Sequence, residues 1–478
     1  MAHTDRNNDP KTPSTDLAAA RKSRTPSGLT ERALLEAFVR ENSEHLAYRP
    51  DTQEWLHFDS HLWRIDEDAV RAREFARQST QAAFDALDAH DQAMMEHKWM
   101  ALHFPTRLVQ TATTERSIRI EGEHWDAHAY LLGCANGVID LRIGSLIDPQ
   151  PGLHVSRSTN IAFDPDAECP RFERFLEEVQ PDAAEVRRHL QLMAGYLLTG
   201  ETSLQKMWIF YGQGANGKTV LVETLLTLLG EYAQKGPRSV MLGRETHGGP
   251  RTDLTRIQGA RLVALSETDR NDAFSEARLK ELTGGERIAA RPLYRSEVEF
   301  TPQAKFVLTT NDLPRVQGTD EGIWRRLIVV PFEQSFTTPD PKLQATLRAE
   351  LPGILAWAVK GAREFYASDQ TIAIPTALAS AGKSYRTNQD TVGQFLADRC
   401  TITAGAFVYS EDLRAAYATW CRENDRAPLS WQGEVTPQLS SRGLAREKRG
   451  KGNRWAWVGI GLTTAAQHDG PTQLTAVA

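Results

Sequence analysis

One stretch constrains this chain more than any other: "KMWIFYGQGANGKTVLVETLLTLLG", residues 206–230. Apolar residues run unbroken from Met207 to Tyr211, a loop with glycines at 212, 214 and 217 follows, and a lysine then opens an apolar helix. A continuous apolar run is how a strand covered on both faces reads. Gly212 to Thr219 fits G-x-x-x-x-G-K-[ST], in which glycines let successive backbone N–H groups converge on phosphate oxygens. In that pattern Lys218 reaches the β- and γ-phosphates of a nucleotide, the Thr219 hydroxyl ligates Mg²⁺, and the N-terminus of the following helix adds its positive dipole. Gly212, Gly214, Asn216, Gly217, Lys218, Thr219 and Val220 are therefore the candidate nucleotide-binding residues.

Three more short apolar runs follow: "RLVALSE" ending at Glu267, "KFVLTTN" ending at Asn311, and "RRLIVVPF" from Arg325 to Phe332. Runs of this kind, alternating with helical segments, imply a three-layer α/β domain over residues 201–375. Glu267 and Asn311 stand at the C-terminal ends of two strands, where doubly wound sheets bind ligands. A carboxylate there orients water or holds Mg²⁺, and an asparagine hydrogen-bonds the attacking water or the γ-phosphate. Asn311 also suits a turn cap, which asparagine favours at strand ends.

A chain of 478 residues is too long for one core. Residues 1–28 and 463–478 read as polar tails, and 29–120 as a small α+β domain. In it Leu34, Leu35 and Phe38 recur at helical spacing, with Trp55, Phe58 and Trp63 in extended pieces. Residues 121–200 read as a hairpin followed by two amphipathic helices, one marked by Phe172, Phe175, Leu176 and Val179, the other by Val186, Leu190, Met193, Leu197 and Leu198. Residues 385–462 read as helices followed by a hairpin. The four cysteines form no C-x-x-C pair and no Cys/His cluster at zinc spacing, so free thiols are expected. No apolar run approaches the roughly 18 residues of a membrane span, and the N-terminus lacks a secretory h-region. A cytoplasmic location and no membrane partner are expected.

The net charge is −6, so contact with nucleic acid must come from local basic patches. Two exist. "LKELTGGERIAARPLYRSEVEF" spaces Arg287, Arg291 and Arg295 four apart, with Tyr294 among them. Basic residues with an interleaved aromatic suit a single-strand channel, although charge runs also occur on plain solvated loops. "AREKRGKGNRWAWVGI" carries Arg446, Lys448, Arg449, Lys451 and Arg454 on a hairpin that turns at Gly450 to Gly452. Helices followed by a basic hairpin fit a winged helix whose wing meets phosphates. A basic hairpin used in protein contacts fits as well.

The P-loop, the strand ending in Glu267, the strand ending in Asn311, the Thr-Asp-Glu segment and Trp324-Arg325-Arg326 together resemble superfamily 3 helicases, specifically the phage and plasmid primase-helicase family. The resemblance extends over roughly residues 30–460, including "ANGVIDLRIG" and "LLTGETSLQKMWIFYGQGANGKT". It implies a P-loop AAA+ ATPase with helical or mixed N-terminal domains, a collar or oligomerisation segment over 121–200 and a C-terminal winged helix, acting with ATP and Mg²⁺ as a homo-hexameric ring on single-stranded or forked DNA, alongside a primase or other replication proteins. By position it makes Lys218 and Thr219 the Walker A pair, Glu267 the Walker B acid, Asn311 the sensor, and Arg325 or Arg326 the arginine finger for the neighbouring subunit. It also puts a pore-facing hairpin at Arg287–Arg295. The chain departs from the two acids common at Walker B, since Ser266 precedes Glu267 and Asp269 lies two residues on. Neither a zinc motif nor a clustered Asp-x-Asp signature precedes the P-loop, so no primer synthesis is expected of this chain. A nucleotide-switched initiator or scaffold that binds or melts DNA without processive unwinding stands as the alternative.

Overall fold

The computed structural model describes residues 30–242, 252–255, 257–266, 272–290, 298–316, 321–338, 340–450 and 452–463. The chain forms two compact units: one runs to Ala127 and takes back Asp148–Ser156, and the other comprises His128–Ile147 and the chain from Arg157 onward. The tail expected at 1–28, and all but Thr463 of that expected at 463–478, lie outside the described residues.

In the first unit, α1 (Glu31–Asn42) begins where the Thr30 hydroxyl accepts the Ala33 N–H, which satisfies one of the four unpaired donors of a helix start. Strands β1 (Leu46–Arg49), β2 (Glu54–Asp59) and β3 (Leu62–Asp66) form an antiparallel meander. Helices α2 (Val70–Asp85), α3 (Ala89–Trp99) and α4 (Phe104–Ala112) pack with α1 around Phe38, Leu46, Trp55, Trp99 and Leu108. Ala47, Leu56 and Trp63 enter a second cluster with Trp125. Segment 148–156 belongs here because the Trp63 N–H and indole donate to Val155 O and Pro151 O, at 2.9 and 2.8 Å.

The second unit is built on five parallel strands: β7 (Met207–Tyr211), β8 (Ala233–Lys235), β9 (Leu262–Ser266), β12 (Lys305–Thr310) and β13 (Leu327–Pro331), in spatial order β13-β7-β12-β9-β8. Alternation along each strand feeds two cores. Trp208, Phe210, Leu262, Ala264, Val307, Ile328 and Val330 face one. Met207, Ile209, Val263, Leu265, Phe306, Leu308, Leu327 and Val329 face the other. Both faces are thus covered, which is why these runs read as continuously apolar.

Over the first face lie α5 (Pro170–Val179), α6 (Ala184–Leu198), α7 (Lys218–Leu229) and α9 (Leu351–Ala367); over the second, α8 (Glu276–Thr283) and Tyr385 of α10 (Thr376–Gln389). Helices α6 and α9 approach so closely that a Cβ on Gly195 would lie 2.1 Å from the Ala362 nitrogen. A small antiparallel sheet, β4 (Leu131–Cys134), β5 (Gly137–Asp140) and β6 (Ser145–Ile147), adds Leu132 and Ile139 to the same core. The sequence reading makes 121–200 a separate domain; in the structure Leu132, Ile139, α5 and α6 share one core with the β7 sheet, while residues up to 127 and 148–156 belong to the first unit. Two buried cations under the sheet explain part of this. Arg261 donates to Leu198 O and Leu131 O, and Lys305 to Thr199 O and to Gln303 O, the last at 3.0 Å. Both sit at the C-terminal end of α6, where unpaired carbonyls and the negative pole of the helix favour positive charge.

Strands β10 (Ile288–Ala290) and β11 (Val298–Phe300) form an antiparallel hairpin after α8. The C-terminal segment runs α11 (Thr391–Arg399), β14 (Cys400–Tyr409), α12 (Ser410–Glu423), α13 (Thr436–Ser441), β15 (Ala445–Arg449) and β16 (Arg454–Leu462), with sheet order β14-β16-β15. Its core holds Phe395, Leu413, Tyr417, Trp420, Trp457 and Ile460. Strand β14 is an addition to the helices and hairpin that the sequence indicates. All four cysteines are free and buried, and burial pushes the Cys169 and Cys400 thiols up to about 12. Among the described residues no helix is long and apolar enough to cross a membrane.

Candidate nucleotide site

Strand β7 ends at Tyr211 and α7 starts at Lys218, so residues 212–217 form the connecting loop at the C-terminal edge of the sheet. The loop is held in a shape that most residues resist. Ala215 and Gly217 have φ of +58° and +87°. A Cβ on Gly217 would sit 2.5 Å from Val179 Cγ1, so glycine is required both by conformation and by the approach of α5. At Gly214 a Cβ would meet nothing within 4 Å, so the crest of the loop faces open space. The walls are more distant in sequence. The Phe336 N–H donates to Ala215 O at 2.9 Å, and the Gln180 amide donates to Pro331 O at 2.7 Å. No motif marks either contact, and the sequence reading missed both.

Lys218 is 5% exposed, and its Nζ donates to Gly212 O at 2.6 Å, Asn216 Oδ1 at 2.9 Å and Asn311 Oδ1 at 3.2 Å. Burial holds its pKa below the ordinary lysine value. Asn311 follows β12, the strand beside β7, and its turn is fixed by Thr310, whose hydroxyl accepts the Asp312 N–H at 3.0 Å. Lysine and asparagine, 93 positions apart in sequence, therefore meet over the loop. Asn216 is 3% exposed and braces the loop from inside, its amide donating to Gln213 O and to Phe332 O. Any contact it makes with a nucleotide falls to its backbone. Thr219 is exposed in the first turn of α7, with half-buried Val220 next. Ser266 ends β9, the neighbour of β12. Glu267 and Asp269 lie outside the described residues. A glycine-bearing loop, a buried ammonium whose hydrogen-bond acceptors among the described residues are all neutral oxygens, and a helix N-terminus form a donor set that fits a polyphosphate.

The two candidate arginines stand elsewhere. Leu327 pairs with Met207 across β13 and β7, and the Met207 N–H donates to Arg326 O at 2.8 Å, so both arginines lie level with the start of β7. The five residues of β7 separate them from the loop, about 17 Å at roughly 3.3 Å per residue. Neither guanidinium reaches the loop of its own chain. Arg326 is 7% exposed and donates to Thr283 Oγ1 at 3.1 Å, to Gly322 O, and to Gln205 Oε1 at 3.3 Å. Arg325 is exposed and donates to the same Gln205 oxygen at 2.7 Å. The Gln205 amide donates in turn to Gly284 O at 3.3 Å, at the end of α8. Lys206 completes the group, its ammonium on Arg325 O and its pKa lowered by burial and by the two guanidiniums. Gln205 is a second residue that the sequence alone did not single out.

Of the candidate channel residues, Arg287 is exposed at the start of β10, while Arg291, Tyr294 and Arg295 lie outside the described residues. Arg446, Lys448, Arg449 and Arg454 are exposed on the β15–β16 hairpin, and Lys451 lies outside the described residues.

Two family models match the chain: one described as D5 N terminal like, over residues 36–181, and a family of unknown function (DUF5906), over 210–326. The "Putative helicase L207/L206" of Acanthamoeba polyphaga mimivirus is 33% identical over 49% of this chain and 25% of its own length. The "Putative primase C962R" of African swine fever virus is 27% identical over 66% of this chain and 36% of its own. The chain therefore spans well under half the length of these relatives. Among solved structures, the apo C-terminal region of NrS-1 aligns with 90% of this chain and 98% of its own, at a TM-score of 0.48 and 10% identity.

Proposed function

The chain is a relative of the viral and phage primase-helicases, and from that premise we propose that it is an ATP-dependent DNA translocase or helicase of the superfamily 3, AAA+ type. The observation that carries this reading is the meeting of the Lys218 ammonium with Asn311 Oδ1 over the phosphate loop, at 3.2 Å. In the proposed mechanism the loop N–H groups and Lys218 bind the β- and γ-phosphates of ATP. Lys218 then exchanges its carbonyl partners for phosphate oxygens, and Asn311 orients the attacking water. Thr219 and Glu267 would hold Mg²⁺, which when bound neutralises charge on the phosphates.

The separation of Arg325 from its own loop supports a site completed by a neighbouring copy, and hence a ring, which we take to be a homo-hexamer. Arg325 is the finger in this reading, because it is exposed while Arg326 is engaged within the fold. Through Gln205 and Thr283 the same arginines touch the end of α8, from which the β10–β11 hairpin and Arg287 extend. A strand passing that hairpin is thereby linked to the finger. The C-terminal segment is read as a winged helix whose β15–β16 wing meets DNA phosphates. The test is DNA-stimulated ATP hydrolysis and unwinding of a forked duplex. Both should disappear in Lys218→Ala and Glu267→Gln. ATP turnover without unwinding would favour the initiator or scaffold, and no turnover in the native chain would refute the motor.

A further inference from the structure

The β15–β16 hairpin carries more than charge. Between Ala445 and Trp455 it has five basic residues, Arg446, Lys448, Arg449, Lys451 and Arg454, and one acid, Glu447, a local formal charge of +4 in a chain of net charge −6. Charge alone serves phosphates. Yet Trp455 stands here 46% exposed, although the C-terminal segment already has a closed core around Trp420 and Trp457.

The pairing shows why this ring is outside. Lys448 lies opposite Trp455 and Arg446 opposite Trp457, so period-two alternation puts all four on one sheet face. Trp457 is 1% exposed in the core; Trp455, two residues nearer the turn, lies beyond the core's edge. The Arg446 guanidinium is 4.8 Å and the Lys448 ammonium 5.5 Å from the centre of the Trp455 ring. The other face repeats the theme, with Arg454 at 3.7 Å over Tyr409 and Arg449 at 5.6 Å over Phe407, itself 42% exposed. A duplex presents phosphates to such a wing and keeps its bases stacked inside. An unpaired strand presents both phosphates and free base faces, and only it uses the indole and the cations together.

We propose that Trp455, flanked by Arg446 and Lys448, stacks an unpaired base of single-stranded DNA, making the C-terminal hairpin a single-strand site distinct from the phosphate loop. The inference takes the identity of the polymer from the reading above and does not depend on ATP hydrolysis.

The test uses the full chain without nucleotide, irradiated with an oligo(dT) carrying 5-iodouracil and mapped by peptide mass. The expected result is an adduct on Trp455; adducts confined to other residues overturn the proposal. Read on the native chain, this result needs no variant to fold. In fluorescence anisotropy, Trp455→Ala should bind oligo(dT) about five- to a hundredfold more weakly. Trp455→Phe should recover most of the loss, and blunt duplex should bind within about twofold of the native chain. The double variant Arg446→Ala/Lys448→Ala should lower the salt slope on oligo(dT) by about 1.4. Native affinity of Trp455→Ala for oligo(dT), or an equal loss on duplex, overturns the proposal, the latter making the hairpin a duplex-phosphate clamp. Lys218→Ala separates the two readings: it should keep the Trp455 adduct while losing hydrolysis, and a native chain that crosslinks but never hydrolyses ATP would refute the motor alone.

Discussion

Adjacent arginines with opposite surroundings offer a sharp test. Arg326 is buried and, among the described residues, donates to Thr283 Oγ1, Gly322 O and Gln205 Oε1. Truncation to alanine strands those acceptors and leaves a void, while sparing the desolvation of the guanidinium. The net loss should be about 2–4 kcal/mol, read as an earlier denaturant midpoint. Arg325 is exposed and, among the described residues, its side chain bonds Gln205 alone, so Arg325→Ala should change stability by under about 0.5 kcal/mol. Its effect should fall on catalysis. Because the backbone at Arg325 stands about 17 Å, the length of β7, from its own loop, the proposed finger role predicts the loss only where a neighbour's ATP is hydrolysed. ATP turnover by the assembled, DNA-bound protein should drop by about 10³ or more, while fluorescent ADP still binds. The assay pairs steady-state hydrolysis, above the concentration at which mass measurement shows assembly, with urea unfolding of the same samples. Native turnover in assembled Arg325→Ala refutes the finger assignment. Native stability in Arg326→Ala refutes the contrast drawn between the two side chains.

Gly217→Ala must place a methyl at φ +87° against Val179, so it should cost about 1–3 kcal/mol and lose nucleotide binding by calorimetry. His189 donates from Nδ1 to Ala373 O and accepts the Trp208 indole N–H at Nε2, and burial lowers its pKa. The unfolded chain therefore binds a proton more readily, and stability should fall as pH drops from about 6.5 toward the depressed value. His189→Gln should lose that part of the acid sensitivity in urea titrations at several pH values. Lys305 is fully buried, its pKa driven well below the lysine range by burial and by Arg261. Here the penalty is complete below the folded pKa and fades as pH rises toward the unfolded value near 10.4, so the stability of the native chain relative to Lys305→Met should improve across that window. Primer assays on the purified chain should show no ribonucleotide incorporation above background.

Four of the five sheet strands were legible because each is buried on both faces and so carries no polar interruption. Strand β8 was not, since Ala-Gln-Lys over three edge residues has no pattern to recognise. Strand β14 hid behind Ala404, Gly405 and Ala406, weak strand formers that interrupt the β-branched run from Thr401 to Thr403. The glycine loop at 212–217 and Asn311 stand out in the sequence, but the 3.2 Å meeting of Lys218 with Asn311 depends on β12 lying beside β7, a long-range pairing. Arg261, Lys305 and Gln205 were silent for a related reason. A buried cation that serves helix carbonyls looks, in one dimension, like any surface charge. The passage of 148–156 back into the first unit is likewise set by Val155 and Pro151 meeting Trp63 rather than by any local signal.

In the proposed ring, the stretch of β7 between Lys218 and Arg325 would make every copy of this chain two unlike halves of an ATPase. Joined head to tail, an open row of copies has one fewer complete site than it has members, and closing the row supplies the missing one. Two inactive variants would then differ in kind: Lys218→Ala would spoil the site a copy carries, and Arg325→Ala the site it serves. Mixed together, they would place an intact loop beside an intact arginine at some junctions, and hydrolysis should return to a preparation in which neither variant alone is capable of it.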